Sequence, residues 1–424
     1  MRLNQNLNNE LDKDFDWIII GGGISGISLA EILTRQGKSV LLLEKNNLLA
    51  SETSKIFHEW LHTGALYTLL PDKLLTQRYM IGAIDDLLEY YSGFKSMNLE
   101  ASISGLKVKN PGWYNNDPIY YKYKRRVFNP LWTSLVSKSI SLVDDISNHD
   151  WLRKKAGEQY GYKFPNFNYW YKNIPRQLNR KRFTEVISSD LTINSRLLIN
   201  DILSNAISNG LNWKTSAEVI KIDEHKNYVS VLTKKEKKAI TAKNLIIAAP
   251  DLLSKFMGYK INTGYAPIHI VDNVPEDMNN FVELDIKKTN CINLLKKESG
   301  IGQAGGITIS SPNKVQEYSD FIITQHKKIN PNIKSIGSYI GIKKELVSAK
   351  ENRNYLYHIA KHNNRIWSVV LGKFTLFSSM APEFYRRAYK LNPDKRIDPV
   401  QSALPERIVS DASWQEIAKN YRRI

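Results

Sequence analysis

The hydrophobic pattern near the start of the chain predicts one βαβ unit. Residues 17–20 form a continuous apolar run of the kind that a buried parallel strand requires. Glycines and small residues follow at 21–26, and residues 27–36 then carry apolar side chains at helical spacing. A second apolar run at 40–43 ends at Glu44. This order of strand, glycine turn, helix, strand and acid is typical of a dinucleotide-binding unit.

Further along the chain, helical and strand-like patterns alternate. Helices are predicted for residues 196–210, from Phe377 onward and for the amphipathic tail at 414–424. Short apolar segments predict strands at residues 218–222, 228–232, 245–249, 336–342, 355–360 and 366–371. The pattern therefore predicts an α/β fold.

Basic residues are concentrated in one stretch. The chain has 60 Lys and Arg against 42 Asp and Glu, a net charge of +18. Residues 101–185 hold 16 of these basic residues, only 6 of the acidic ones and 16 of the aromatic residues. This stretch is interpreted as an inserted cap. It could bind a phosphorylated or sugar-derived substrate, dock on an anionic bilayer, or do neither. It contains no nucleic-acid-binding motif, which disfavours nucleic acid as a partner.

Cysteine content and hydropathy bear on the compartment. The single cysteine, Cys291, excludes an intramolecular disulfide framework. Residues 1–14 are polar and do not resemble a secretory signal, and no apolar run is long enough to span a membrane. We expect a cytoplasmic protein, with peripheral contact on the inner membrane surface left open. No metal site is predicted.

The glycine turn has residues where a dinucleotide needs them. Gly21 permits the tight turn, Gly23 allows a pyrophosphate to approach, and Gly26 allows the helix to pack on the sheet. The helix start offers free N–H groups to phosphate. Glu44 is placed to accept hydrogen bonds from a ribose diol and would repel a 2′-phosphate, so NADP is disfavoured.

Several later segments resemble the FAD-dependent oxidoreductases related to D-amino-acid oxidase. That family includes sarcosine oxidase, glycerol-3-phosphate dehydrogenase and L-2-hydroxyglutarate oxidase. The similar segments are residues 51–58, 62–67, 190–197, 218–219, 339–343, 352–353 and 371–375. Lys343 and Lys344 stand where the glycerol-3-phosphate dehydrogenase branch has Arg-Pro, which argues against glycerol 3-phosphate itself as the substrate. Residues 101–185 match no segment of the family, so the resemblance does not carry substrate identity.

The resemblance implies a nucleotide-binding flavoprotein with FAD as its cofactor. A Rossmann-like FAD-binding domain would be assembled from residues 15–100, 186–255 and 336–395. An inserted α+β substrate domain, built on an antiparallel sheet, would contain 101–185 and 256–335, followed by a tail helix within 396–424. The residues expected to bind FAD are Gly21, Gly23, Ile24, Ser25, Gly26, Glu44, Lys45, Thr53, Ser54, Val219, Ala249, Gly372, Lys373 and Thr375.

The resemblance also implies oxidation of a C–H bond beside a hydroxyl or amine, by hydride transfer to flavin N5. His62 is the first candidate for the base, and His58 is the competing alignment. Arg353 and Lys343 are candidates to hold an anionic group of a small polar substrate. Electrons would pass to oxygen, a quinone or another carrier.

Two alternatives to this oxidoreductase remain open at the level of sequence. One is a flavin-dependent reductase of an isoprenoid or glycolipid double bond. The other is a non-catalytic flavoprotein that binds nucleic acid through the basic stretch.

Overall fold

The computed structural model describes most of the chain outside the basic stretch. The described residues are 15–62, 65–67, 75–97, 112–115, 117, 119–124, 177–179, 183–188, 190–285, 290–298, 300–347, 355–395, 404–405 and 407–422. Arg353 and most of 101–185 lie outside them, and so do the predictions that concern them.

The strands and helices follow one another in the order that the chain sets. The strands are β1 (Phe15–Ile20), β2 (Val40–Leu43), β3 (Trp60–Leu61), β4 (Tyr114–Asn115), β5 (Ile119–Lys124), β6 (Gln177–Asn179), β7 (Phe183–Ser188), β8 (Leu191–Ile193), β9 (Asn212–Lys214), β10 (Val219–Glu224), β11 (Val229–Thr233), β12 (Ile240–Ile247), β13 (Ile261–Asp272), β14 (Asn280–Asp285), β15 (Asn290–Lys296), β16 (Gly302–Gly306), β17 (Lys334–Leu346), β18 (Tyr357–Lys361) and β19 (Ile366–Leu371). The longer helices are α1 (Ile24–Arg35), α2 (Leu75–Tyr91), α3 (Ser195–Ser208), α4 (Pro250–Met257), α5 (Val315–Ile329), α6 (Phe377–Tyr389) and α7 (Ser413–Arg422).

The first sheet is the predicted Rossmann-like layer. Strands β19, β12, β1, β2 and β9 run parallel in that order. The β10–β11 hairpin joins β12, and β18 joins β19, both in antiparallel fashion. Ile19 and Leu42 pack into one apolar core with α1, α3 and α6, whereas Ile18 and Leu41 pack into another on the opposite face. Because both faces are covered, these strands are apolar along their whole length.

The second sheet is largely antiparallel. Its strand order is β17-β13-β16-β15-β14-β5-β7-β6, and only the β5–β14 pair is parallel. Helix α5 packs against β13 and β16, while α7 packs against β17 and β13. A third, small sheet has the order β3-β8-β4. The predicted fold class, a Rossmann-like domain with an antiparallel second domain, is confirmed.

One boundary differs from the prediction. The range 336–395 was assigned to the FAD-binding domain, but β17 pairs along its length with β13 of the second sheet. The apolar pattern identifies this segment correctly as a strand. It does not identify the partner, because period-2 alternation is the same in either sheet. Similarly, residues 186–188 belong to β7 of the second sheet.

None of the described helices is long and apolar enough to cross a membrane. The amphipathic tail forms α7 and is docked on the second sheet, where a Cβ on Gly337 would lie 2.8 Å from Ile417. This close packing explains the apolar face of the tail.

Candidate functional site

A cavity of about 640 Å³ lies where the two large sheets meet. Four parallel strands of the first sheet end at its wall, and the next residues of the chain line it: Gly21 after β1, Glu44 after β2, Ala249 after β12 and Gly372 after β19. The carboxyl ends of parallel strands are the usual ligand-binding edge of such sheets. Val282, Cys291 and Gly306 of the second sheet line the opposite side.

The glycine turn is packed too closely for larger residues. Gly21 has a φ of +115°, which favours glycine. A Cβ on Gly26 would lie 1.9 Å from the carbonyl oxygen of Gly21, so Gly26 sets the helix–strand contact and does not line the cavity. Gly23 caps α1 without a side-chain hydrogen bond, and the first turn of α1 has no acidic residue. The start of α1 is therefore suited to an anion.

Glu44 is held in place by backbone donors. Its Oε2 accepts a hydrogen bond from the N–H of Gly22 at 2.7 Å, and its Oε1 accepts one from the N–H of Asn46 at 2.8 Å. Lys45 forms an ion pair with Glu52 at 2.6 Å on the same rim. These contacts fix the carboxylate at the end of β2, in the position that the sequence predicted.

The remaining predicted contacts of the dinucleotide also lie around the cavity. Ser54 Oγ accepts a hydrogen bond from the N–H of Ile24 at 2.9 Å and so joins the loop to α1. Val219 begins β10, and Ala249 is the N-cap residue of α4. The other cavity-lining residues of the predicted set are Ser25, Thr53, Gly372 and Lys373.

His62 is fixed by contacts on several sides. Its Nδ1 lies 3.3 Å from Asp190 Oδ2, and its ring packs against Trp60 with centroids 4.3 Å apart. Its backbone N–H donates to Thr375 Oγ1 at 2.9 Å. Thr375 therefore supports His62 but does not itself line the cavity. Burial lowers the pKa of His62 below its usual value, the hydrogen bond to Asp190 opposes that shift, and the charge of Lys373 adds to it.

The register of the small sheet explains why Asp190 faces His62. Strands β3 and β8 pair antiparallel, with Trp60 opposite Thr192 and Leu61 opposite Leu191. One step further places His62 opposite Asp190. Asp190 begins the segment 190–197 that resembles the family, but it was not predicted to be a site residue. The sequence feature that could have identified it is its position directly before β8.

His58 lies in a different electrostatic setting. Its Nε2 is buried and has no hydrogen-bond partner in the described chain. A Cβ on Gly305 would lie only 2.1 Å from this nitrogen, so the ring packs directly on the glycine. Burial and then the charges of Lys297, His62 and Lys373 lower the pKa of His58 to about 3. The side chain is therefore neutral over the physiological range.

A buried ion pair stands beside His58. Glu59 has a positive φ of 57°. Its Oε2 accepts hydrogen bonds from Lys297 Nζ at 2.8 Å and Trp414 Nε1 at 2.9 Å, and its Oε1 accepts from Ser195 Oγ at 2.5 Å. Lys297 Nζ also donates to the backbone oxygen of His58 at 2.9 Å. Burial raises the pKa of Glu59, but Lys297 and Ser195 outweigh it, so the carboxylate stays charged.

Two of the lysines that line the cavity come from opposite domains. Lys373 Nζ lies 5.2 Å from the ring centre of Tyr67 and 5.1 Å from that of Tyr355. Lys343 Nζ lies 5.8 Å from the Tyr355 ring and 2.5 Å from Glu345. Both lysines were predicted as site residues from the sequence, whereas the tyrosines occurred only within predicted segments, since tyrosine is too common to identify a site by itself.

The chemistry of the cavity fits FAD. Three buried polar atoms without a hydrogen-bond partner in the described part of the chain belong to residues that line it: Ser51 Oγ, His58 Nε2 and Asn293 Oδ1. Buried polar atoms are normally paired, so their presence points to a polar ligand. The start of α1 would receive the pyrophosphate and Glu44 the ribose. His62, Lys343 and Lys373 surround the other end.

Comparison with known sequences supports the same cofactor. Residues 16–114 match the model of a family described as FAD dependent oxidoreductase. The chain is 46% identical to UDP-galactopyranose mutase of Mycoplasma pneumoniae over 54 residues, which are 11% of this chain and 14% of that protein. It is 32% identical to squalene epoxidase of Schizosaccharomyces pombe over 146 residues, 34% of this chain and 30% of that protein. The matches thus span less than a third of either relative.

Solved structures share the fold over nearly the whole chain. L-α-glycerophosphate oxidase from Mycoplasma pneumoniae, with FAD bound, has a TM-score of 0.64 at 18% identity, covering 93% of this chain and 99% of that one. Glycine oxidase from Bacillus cereus has a TM-score of 0.59 at 17% identity, covering 88% and 96%. Glycerol-3-phosphate dehydrogenase from Bacillus halodurans, complexed with FAD, has a TM-score of 0.56 at 16% identity, covering 91% and 67%.

The family match includes the glycine turn and Glu44, the two features that the dinucleotide requires. FAD is therefore the cofactor, residues 16–114 match the FAD-dependent oxidoreductase family, and the chain shares its fold with the solved FAD-containing oxidase and dehydrogenase.

Proposed function

We propose that this protein oxidises a C–H bond beside a hydroxyl or amine in a small, anionic substrate. The observation that carries the proposal is that one cavity holds two kinds of site. One end is built as a dinucleotide site, and the other brings together a histidine, two lysines and two tyrosines. FAD, when bound, supplies the two-electron acceptor for such an oxidation.

The cations define the substrate class that the proposal names. Lys373 and Lys343, the latter paired with Glu345, lie over the ring of Tyr355 in the cavity, where electrostatic attraction is stronger than in water. A phosphate or carboxylate group is the complementary ligand. The names of three solved structures with this fold, glycerophosphate oxidase, glycine oxidase and iminodiacetate oxidase, also denote compounds that carry a phosphate or carboxylate group.

His62 is the base in this proposal. Its lowered pKa keeps it neutral near pH 7, so it can accept the proton of a substrate hydroxyl or ammonium group. Loss of that proton and of the adjacent hydrogen with two electrons leaves a carbonyl or an imine. The electrons then pass to oxygen, a quinone or another carrier. His58, whose pKa is near 3, is the poorer base and is proposed as a cofactor contact.

The decisive experiment is an anaerobic spectral screen of the FAD-loaded protein. Phosphorylated polyols, 2-hydroxy acids, glycine, iminodiacetate and neutral polyols are mixed with it, and the loss of oxidised-flavin absorbance is followed. We expect bleaching by at least one anionic compound and none by its neutral analogue. Lys343→Met should raise the concentration needed, while Lys260→Met, an exposed lysine that does not line the cavity, should not.

Two outcomes would contradict the proposal. Failure of the protein to retain FAD would remove its basis. Bleaching by a nicotinamide reductant alone, reversed by an unsaturated isoprenoid or glycolipid, would instead support the reductase alternative.

A further inference from the structure

The carboxylate of Asp190 is enclosed and shared by three donors. Asp190 is 1% exposed. Its Oδ2 accepts hydrogen bonds from Trp60 Nε1 at 2.7 Å and from the hydroxyl of Tyr121, and it lies 3.3 Å from His62 Nδ1. A carboxylate without its proton can only accept hydrogen bonds. With Asp190 ionised, this contact favours a hydrogen on the nitrogen of His62 that faces the carboxylate.

The ring of His62 is packed between two aromatic side chains. Trp60 packs against it at a tilt of 33°, and Tyr67 meets it edge-on with centroids 5.4 Å apart. Its backbone is held by Thr375. With Nδ1 as the donor, the lone pair of the neutral ring is left on Nε2.

Asp190 is itself held by groups from two sheets. Trp60 lies on β3 of the small sheet, whereas Tyr121 lies on β5 of the second sheet and is fully buried. Burial and the neighbouring Asp190 raise the pKa of Tyr121 well above its usual value, so its hydroxyl remains a donor. The position of the carboxylate is thereby tied to the packing of one sheet against the other.

We propose that Asp190 is a positioning residue that keeps His62 in its Nδ1–H tautomer, with Nε2 as the proton-accepting nitrogen. The inference rests on the proposed role of His62 as the base, and extends it to a residue that touches neither cofactor nor substrate. A merely structural Asp190 would stabilise the fold without selecting a tautomer.

The test is NMR of the FAD-loaded protein with ¹³C,¹⁵N-labelled histidine. The His62 resonances are assigned from their loss in His62→Gln. In the wild type at pH 7 we expect the Nδ1–H tautomer, the form that histidine disfavours in water. In Asp190→Asn, the neutral amide holds the donor less strongly, so we expect the Nε2–H form to become populated.

Tyr121→Phe is the matched control. It removes another hydrogen bond to Asp190 but leaves the acceptor, so the Nδ1–H tautomer should persist. An Nε2–H tautomer in the wild type would overturn the inference, as would an unchanged tautomer in Asp190→Asn. If Asp190→Asn fails to fold, the wild-type tautomer and its persistence in Tyr121→Phe decide the question.

A kinetic readout separates this inference from the proposed function. With a substrate found in the spectral screen, Asp190→Asn should slow flavin bleaching by about 10²-fold, the lower end of what a general base contributes. It should leave the substrate concentration at half-maximal rate nearly unchanged. If no compound bleaches the flavin while the tautomer results hold, the proposed function fails and the inference stands. If bleaching occurs but the wild type is Nε2–H, only the inference fails.

Discussion

His58 and His62 lie on one short segment and face opposite electrostatic surroundings. His62 has the Asp190 carboxylate at its Nδ1, while His58 lies near the cation of Lys297 and has a buried Nε2 without a partner in the described residues. The sequence favoured His62 as the base and kept His58 as the competing alignment. Within the described residues, His62 has a carboxylate able to stabilise a proton on its ring, whereas His58 has a neighbouring cation.

The difference comes from the partners of two buried carboxylates. Glu59 forms an ion pair with Lys297, which neutralises its charge locally. The pair also holds the backbone of the neighbouring His58 through Lys297. Asp190 Oδ2 instead lies among three side chains that carry no permanent charge: the indole of Trp60, the phenol of Tyr121 and the imidazole of His62. A buried carboxylate is thus part of an ion pair at one point and lies beside the proposed base at the other.

Removing the cation from the Glu59 centre should have the largest effect. Lys297→Met leaves a buried carboxylate unpaired, and we expect the free energy of unfolding to fall by about 3–5 kcal/mol in urea denaturation. Lys296→Met is the control, because this neighbouring side chain is 20% exposed and should cost under about 1 kcal/mol. Adding Glu59→Gln to Lys297→Met should recover part of the loss. Equal losses for the two lysines would show that the Glu59–Lys297 pair contributes no more to stability than a more exposed lysine does.

Loss of the tail contact should have the next largest effect. Trp414→Phe removes one charge-assisted hydrogen bond to Glu59, and stability should fall by about 1.5–3 kcal/mol. Tyr421→Phe, which removes a hydrogen bond from the same helix to the surface-facing Asp272, should cost less. Thermal unfolding of both variants measures the difference. A larger loss for Tyr421→Phe would place the main anchor of α7 elsewhere.

On the His62 side, Thr375→Val should cost about 1–3 kcal/mol. The buried N–H of His62 loses its acceptor, and nothing else in this change alters charge. Thr375→Ser keeps the hydroxyl and should retain most of the stability, as measured by chemical denaturation. If serine and valine give the same loss, packing of the threonine methyl group is the cause.

The two histidines should also differ in acid. The pKa of His58 falls from 6.5 in the unfolded chain to about 3 in the folded protein, so the unfolded state binds a proton that the folded state rejects. Above pH 6.5, His58 is neutral in both states, so its burial makes no pH-dependent difference to the free energy of unfolding. Below pH 6.5, stability should fall by about 1.4 kcal/mol per pH unit until pH 3. Comparing the pH dependence of unfolding for wild type and His58→Gln isolates this slope, and identical curves would contradict the assigned pKa.

The sequence was informative wherever function depends on neighbours in the chain. The glycine turn, the strand ending at Glu44 and the strand at Ile366–Leu371 were all predicted, because backbone geometry restricts the residues that can stand there. The positions of Lys343 and Lys373 on the cavity wall also agree with the predicted site.

What could not be predicted depends on contacts between distant segments. Glu59 and Lys297 are separated by 238 residues, and neither has a local pattern that points to the other. Asp190 faces His62 only because β3 and β8 pair in one register, and register is set by tertiary packing. For the same reason, β17 was recognised as a strand but assigned to the wrong sheet.

The contact between Trp414 and Glu59 also has a consequence for synthesis of the protein. The two residues are 355 positions apart. A ribosome adding roughly 5–20 residues per second needs about 20–70 s to make the intervening chain. During that time Glu59 lacks its hydrogen bond from the Trp414 indole, whether its backbone is already in the left-handed conformation or is still unfolded. The segment bearing both histidines can make this contact only after translation has passed the tail helix, so the flavin pocket is completed long after Glu59 has been synthesised.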